Sequence, residues 1–200
     1  MKHLFVCPMD DTMKFSVVDL KSNREIYGTL RFQTYTPPNP PLYPYVPAYL
    51  QQYQEQPKPL RQFLREYVRG LRPKDFMLVL HDDATDLEAN AMSELLVACG
   101  AKDVPMEYRA FLLATDPDYI SVTGSKRAVT VTRVIAGRDD TERIFIPVNE
   151  AAPDSVQEAI RELDPEGTVP VFTFGVAENI ARVGEEISEP SLVRNFVRIL

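Results

Sequence analysis

Phe76-Met-Leu-Val-Leu-His-Asp-Asp-Ala-Thr-Asp-Leu-Glu88 is the stretch on which the fold turns. Phe76–Leu80 is a continuous apolar run, the pattern of a strand buried on both faces. Thr85 and Glu88 stand three residues apart and make a capping box, in which each side chain satisfies an orphan backbone N–H at a helix start. The spacing predicts a helix from there to Cys99, with Gly100 as its left-handed stop. A doubly buried strand followed at once by a capped helix is the working unit of an α/β layer, so further strands are expected on either side.

Upstream, His3–Cys7, Lys14–Leu20 and Glu25–Phe32 read as three strands, with a turn at Lys21-Ser-Asn-Arg24 joining the last two. Composition then changes. Residues 37–59 hold eight of the seventeen prolines, and Tyr35, Tyr43, Tyr45, Tyr49 and Tyr53 are five of the nine tyrosines. Proline lacks the N–H and fixes φ, so this segment is neither helix interior nor central strand but an extended or polyproline-II arm. Two readings stand side by side: a loop laid over the core by its rings, or a recognition arm in which Tyr43, Tyr45, Tyr49 and Tyr53 bind a protein partner. From Leu60 the period is helical: Leu60, Phe63, Leu64, Tyr67, Val68 and Leu71 share one face, and Gly70 and Pro73 end it. Arg61, Arg65, Arg69 and Arg72 lie beside that face, as a solvated edge or, in the alternative, as a surface for an anionic partner.

Downstream, a short segment at Val104–Met106 and a helical turn at Tyr108–Ala114 lead into a second series. Tyr119–Thr123 and Ala128–Ile135 are strands around Gly124-Ser-Lys-Arg127. A third strand, Arg143–Val148, follows a turn at Gly137-Arg-Asp-Asp140. Pro153 starts a helix, Val169–Phe174 is another apolar strand, and Val176, Ile180, Val183 and Ile187 mark a last helix before a tail at Ser191–Leu200. The order βββαβα therefore occurs twice. The expected division is a first lobe over 1–115, with the Pro/Tyr-rich arm at 35–59, and a second lobe with its tail over 116–200.

Composition bounds the function. The 200 residues are 44% hydrophobic and 26% charged, the profile of a soluble globular chain. A net charge of -7 argues against a broad phosphate-binding surface, so no nucleic-acid partner is expected. No apolar run approaches the ~20 residues of a membrane span, and the apolar start is too short for a signal peptide, so no membrane insertion is expected. Two cysteines, Cys7 and Cys99, make neither a disulfide framework nor a metal cluster, which suits a reducing cytoplasm. Two histidines and no tryptophan shorten the list of catalytic candidates.

The doubled βββαβα unit resembles the plan of the actin/Hsp70/sugar-kinase superfamily, whose two ribonuclease-H-like lobes clasp ATP between them. Leu78-Val-Leu-His-Asp-Asp-Ala-Thr-Asp-Leu-Glu88 and Cys99-Gly-Ala-Lys-Asp-Val104 are similar to the strand, capped helix and exit of bacterial actin homologues and Hsp70 proteins. Arg109-Ala-Phe111 falls where those proteins have a Pro-Ala-Ala type helix. The resemblance spans residues 3–33 and 60–187. It implies an α/β fold of tandem ribonuclease-H-like lobes, an actin-like core without large subdomain insertions. It also implies a nucleotide cleft with Asp10, Asp11, Thr12 and Lys14 on the first hairpin, and Gly124, Ser125, Lys126 and Gly175 in the second lobe. The family's phosphate loops are degenerate here. Cys7 stands at the metal-organising aspartate, Met9 at a glycine, Ser121 at the second aspartate, and Phe174-Gly175 replaces a Gly-Gly pair. A thiol and a hydroxyl are poor ligands for hydrated Mg²⁺, and phosphate loops need glycine for close backbone approach.

Remaining constellations read plainly. Asp10-Asp11-Thr12 after the first strand offers carboxylates for Mg²⁺, but adjacent side chains in a turn diverge, so a polar turn is the expected reading. His81-Asp82-Asp83 lies at a strand's carboxyl end, where ligands gather, yet it also precedes a helix whose dipole favours carboxylates, and that second role is the expected one. Gly124-Ser-Lys126 lacks the upstream glycine of a Walker loop, although Lys126-Arg127 can grip an anion. Cys7 has no histidine partner except His3 and is no nucleophile. The resulting expectation is a non-catalytic, cytoplasmic, pseudo-ATPase scaffold or adaptor of bacterial actin type. It would bind protein partners, form a homodimer through the arm and hold no cofactor. The alternative is an actin-like ATPase or kinase that binds ATP with Mg²⁺ through unorthodox loops.

Overall fold

In the computed structural model, residues 2–19, 30–39, 46, 57–70, 73, 75–138 and 141–199 are described. The tyrosines Tyr43, Tyr45, Tyr49 and Tyr53, the turn at residues 21–24 and residues 25–29 of the expected third strand lie outside them. The chain divides into two compact units. The first comprises Met1–Leu80 and Ala84–Glu107, the second His81–Asp83 and Tyr108–Leu200.

In the first unit β1 (Lys2–Pro8) and β2 (Met13–Asp19) form an antiparallel hairpin, with Val6 opposite Phe15 and Cys7 opposite Lys14. A third strand, β3, pairs with β2 over Gln33–Tyr35, directly after the stretch expected from the sequence, and Leu30–Phe32 is not strand. α1 (Pro57–Tyr67) covers one face of this hairpin through Phe63, whose ring lies 5.6 Å from that of Phe15 and 5.3 Å from that of Tyr35. β4 (Phe76–Leu80) is buried along its whole length and runs parallel to β1. α2 (Asp86–Ala98) then starts on the expected capping box, with Thr85 N–H donating to Glu88 Oε2 at 2.8 Å and Glu88 N–H to Thr85 Oγ1 at 3.3 Å. The segment after it is one more strand, β5 (Met106–Tyr108), giving the sheet order β3-β2-β1-β4-β5.

The second unit opens with a 3-10 turn, Arg109–Leu112, and continues with β6 (Asp118–Gly124), β7 (Ala128–Ile135) and β8 (Glu142–Pro147). α3 (Pro153–Leu163) and β9 (Val171–Phe174) follow. The expected helix through Val176–Ile187 is corrected: only Glu178–Ala181 (α4) is helical, and Glu185–Glu186 form β10 beside β9. Gly184 permits this, because a Cβ there would lie 2.5 Å from the carbonyl oxygen of Val171. The tail is an ordered helix, α5 (Glu189–Ile199), that buries Leu192, Val193 and Phe196.

The order β8-β7-β6-β9-β10 repeats the first sheet strand for strand, with antiparallel pairs on one side and the parallel pair β6–β9 on the other. Its core face carries Ile120, Val122, Val129, Val131 and Ile146 against Val156, Ala159 and Leu163 of α3. Among the described residues no helix is long and apolar enough to cross a membrane.

Candidate functional site

The chemistry-bearing side chains of the second unit converge at the carboxyl end of β6. His81 and Asp82 are buried there and Asp83 is half-buried, all three contributed from between β4 and α2, together with the buried Arg109 of the 3-10 turn. Asp82 does not act as a helix-terminal charge. Its Oδ1 accepts the N–H of Ala110 at 2.9 Å and its Oδ2 accepts the hydroxyl of Thr123. Burial raises the pKa of this carboxyl, while Thr123, the Ala110 amide, Arg109 and Arg143 pull against that. Arg143 reaches the Asp82 carbonyl at 3.5 Å and lies over the rings of Tyr108 and Phe111, at 5.1 and 5.8 Å.

Among the described residues Arg109 is the largest fully buried side chain. Its Nη1 donates to the Gly124 carbonyl at 2.9 Å, and its guanidinium lies 5.4 Å from the centre of the Phe174 ring. Its Nη2 approaches His81 Nε2 at 3.3 Å. A guanidinium has no acceptor, so Nε2 accepts and the imidazole is neutral with its proton on Nδ1. Burial drives the His81 pKa well below the ordinary value, and the nearby charges of Arg109 and Arg127 lower it further. Nδ1 itself has no hydrogen-bond partner among the described residues.

Each residue expected of a nucleotide cleft now has a place. Asp10, Asp11 and Thr12 form the β1–β2 turn, closed by Met9 N–H donating to the Thr12 carbonyl at 2.8 Å, and Lys14 sits half-buried on β2. Cys7 is fully buried on β1, inside the sheet rather than on the turn. In the second unit Gly124 ends β6 and Gly175 follows β9, and the two meet backbone to backbone. A Cβ on Gly124 would lie 2.2 Å from the Gly175 carbonyl oxygen. Gly175 has φ +67°, and a Cβ there would meet Arg109 Nη1 at 3.5 Å. Ser125 and Arg127 turn their donors onto Asp83: Ser125 Oγ lies 2.6 Å and Arg127 Nε 3.0 Å from Asp83 Oδ2. Lys126 is half-buried in the same turn.

The Ser125 hydroxyl and the Arg127 guanidinium of this turn face a carboxylate of the chain itself, and its glycine serves a strand-to-strand contact. Ser121, at the position of the family's second aspartate, is fully buried in β6, and its hydroxyl has no partner among the described residues. No group of three His, Cys, Asp or Glu side chains that could hold a metal occurs among the described residues, His81-Asp82-Asp83 included.

Sequence reading missed Arg109 as a structural centre, though a lone cation inside the apolar run Tyr108-Arg-Ala-Phe-Leu-Leu113 is a signal for a buried, paired charge. It also missed Thr123 and Arg143, which carry no such signal. Arg127, which the sequence offered with Lys126 as a grip for an anion, is paired with the chain's own Asp83 at 3.0 Å.

No protein-family model and no curated protein matches the sequence. Solved structures do. The ethanolamine utilization protein EutJ from Carboxydothermus hydrogenoformans matches with a TM-score of 0.63 and 11% identity, over 98% of this chain and 88% of that one. AlfA from a B. subtilis plasmid, solved as a filament, matches with a TM-score of 0.54 and 12% identity, over 98% and 97% of the two chains. Both belong to the actin-like ATPase superfamily. The chain has the actin-like fold. Its two sheets are the ribonuclease-H-like lobes of that fold. Identities of this size speak to fold alone, so the site geometry carries the functional argument.

Proposed function

We propose that this chain is a non-catalytic actin-like scaffold or adaptor, with a degenerate nucleotide site, that acts by binding protein partners. The observation that carries the reading is the β6–β7 turn, whose Ser125 and Arg127 are committed to Asp83 and whose Gly124 is closed against Gly175. A phosphate group would have to displace a tethered carboxylate and approach a turn already holding negative charge. The β1–β2 turn supports the same reading from the sequence side. Met9-Asp-Asp-Thr12 contains no glycine, and backbone approach to a phosphate oxygen is hindered by side chains at every position.

Partner binding is proposed to use Tyr43, Tyr45, Tyr49 and Tyr53, on the strength of composition: a Pro/Tyr-rich segment offers large contact area at low entropic cost. Self-association is proposed as well, and the filament form of AlfA is in keeping with it. A cytoplasmic location is proposed from the cysteine usage. The decisive experiment is a calorimetric titration of Mg·ATP into the purified chain. The expected result is no binding tighter than about millimolar, equivalent to roughly -4 kcal/mol. Micromolar affinity would overturn the scaffold reading in favour of a nucleotide-binding ATPase or kinase.

A further inference from the structure

The β6–β7 turn has the construction of a receptor for one carboxylate. Ser125 organises it. Its Oγ accepts the N–H of Arg127 at 3.0 Å and of Ala128 at 3.2 Å, and its own N–H donates to the Ala128 carbonyl at 2.9 Å. With two amides pointing at the oxygen, the hydroxyl proton is directed away from them, onto Asp83 Oδ2 at 2.6 Å. Arg127 supplies a second donor to the same oxygen, Nε at 3.0 Å, while its Nη2 holds the Asp83 main-chain carbonyl at 3.0 Å. The carboxylate is deeply enclosed, its side chain only 9% exposed. Its other oxygen, Oδ1, has no hydrogen-bond partner among the described residues. A buried carboxylate oxygen left unmatched is unfavourable, and a simple staple would not need it. The turn therefore recognises a whole anionic group through one of its oxygens.

We propose that the β6–β7 turn is a carboxylate-binding site which the chain fills in cis with Asp83, and that emptying it creates a receptor for a small external carboxylate. This deepens the scaffold reading and rests on it, since it makes the second unit's loop a self-occupied anion site. The ligand class follows from the geometry. The Ser125 hydroxyl and Arg127 Nε converge on a single carboxylate oxygen, while Arg127 Nη2 is taken by the main-chain carbonyl of Asp83, so the side-chain donors suit an anion as small as the aspartate carboxylate they now hold. In an Asp83→Gly variant the main-chain carbonyl remains for Arg127 Nη2, and the volume vacated is that of an acetate.

The test is thermal melting of the full-length Asp83→Gly variant in sodium formate, sodium phosphate and sodium chloride at matched ionic strength. The expected result is a melting temperature about 4–8 °C below that of the native chain, with saturable recovery of several degrees in formate and none in chloride. Native protein and Asp83→Asn, in which an amide fills the site, should not respond. Recovery by phosphate equal to that by formate would overturn the carboxylate assignment. Absence of formate-specific recovery, or an equal response in native protein, would overturn the site. Should Asp83→Gly not fold, a double-mutant cycle with Asp83→Asn and Ser125→Ala decides the matter. Coupling of at least about threefold in the unfolding constant is expected, and full additivity would refute the shared site. Mg·ATP affinity of the native chain decides the scaffold reading separately, so either idea can fail alone.

Discussion

Substituting Gly124 by alanine separates the two reasons a glycine can stand at a phosphate-loop position. If it served a ligand, alanine would leave the free protein almost unchanged. In this structure the new Cβ would lie 2.2 Å from the Gly175 carbonyl oxygen, 3.0 Å from its carbon and 3.3 Å from Val176 Cα. Contacts below 3.0 Å are not tolerated, so the ends of β6 and β9 must part by roughly 0.8 Å. Little there can yield. Thr123 is in register with Phe174 across β6–β9, Gly124 with Val129 across β6–β7, and the Gly124 carbonyl holds buried Arg109 at 2.9 Å. Overpacking of a well-filled site costs about 1–3 kcal/mol, and backbone against backbone belongs at the upper end. At about 2–4 °C per kcal/mol for a chain of this size, the melting temperature should fall by roughly 6–12 °C. Urea unfolding and thermal melts followed by circular dichroism, with no ligand present, measure it. Gly137→Asn is the control, since Gly137 has φ +77° with nothing within 4 Å of a Cβ and asparagine tolerates that backbone. Its cost should stay within about 1 kcal/mol. A Gly124→Ala protein that melts within about a degree of the native one, but loses a measured affinity for Mg·ATP, would refute the reasoning.

Two further outcomes are expected. His81 is held neutral with a strongly depressed pKa, so between that value and ~6.5 the unfolded chain binds a proton that the native site refuses. Stability should therefore fall as pH drops below about 6.5, by up to roughly 1.4 kcal/mol per pH unit from this group. Asp82 works the other way over its own range. Its native pKa is raised, so from that value down towards its ordinary one the native state binds the extra proton and gains stability. His81→Gln keeps an acceptor for Arg109 but does not titrate; identical pH slopes for variant and native chain between pH 5.5 and 6.5 would dismiss the idea. Self-association is the second outcome: light scattering at high micromolar concentration should give twice the monomer mass, and a fourfold Tyr→Ser change at Tyr43, Tyr45, Tyr49 and Tyr53 should return it to the monomer. A native chain that scatters as a monomer would remove the dimer.

The features legible in the chain alone are local and periodic. The capping box at Thr85 and Glu88, the apolar run of β4 and the turn residues between β6 and β7 each depend on residues a few positions apart, so element type and the doubled order were legible before any contact was known. Tertiary structure decided whatever depended on a distant neighbour. Val176, Ile180, Val183 and Ile187 have helical spacing, yet the open edge of β9 draws residues 185–186 into the sheet, which the missing side chain at Gly184 allows. His81-Asp82-Asp83 has the local form of a helix approach, and its carboxylates were expected to face the helix dipole. Stronger donors win: Asp82 takes an amide 28 positions away and a hydroxyl 41 away, and Asp83 a hydroxyl 42 away and a guanidinium 44 away. A partial charge at a helix end is worth several tenths of a kcal/mol, whereas charge-assisted bonds to a buried carboxylate are worth more and leave a larger penalty if unmade. No spacing rule reaches across forty residues, so the serine and arginine that lie where a phosphate loop would be became, once folded, partners of the chain's own Asp83, and the glycine a close contact between strand ends.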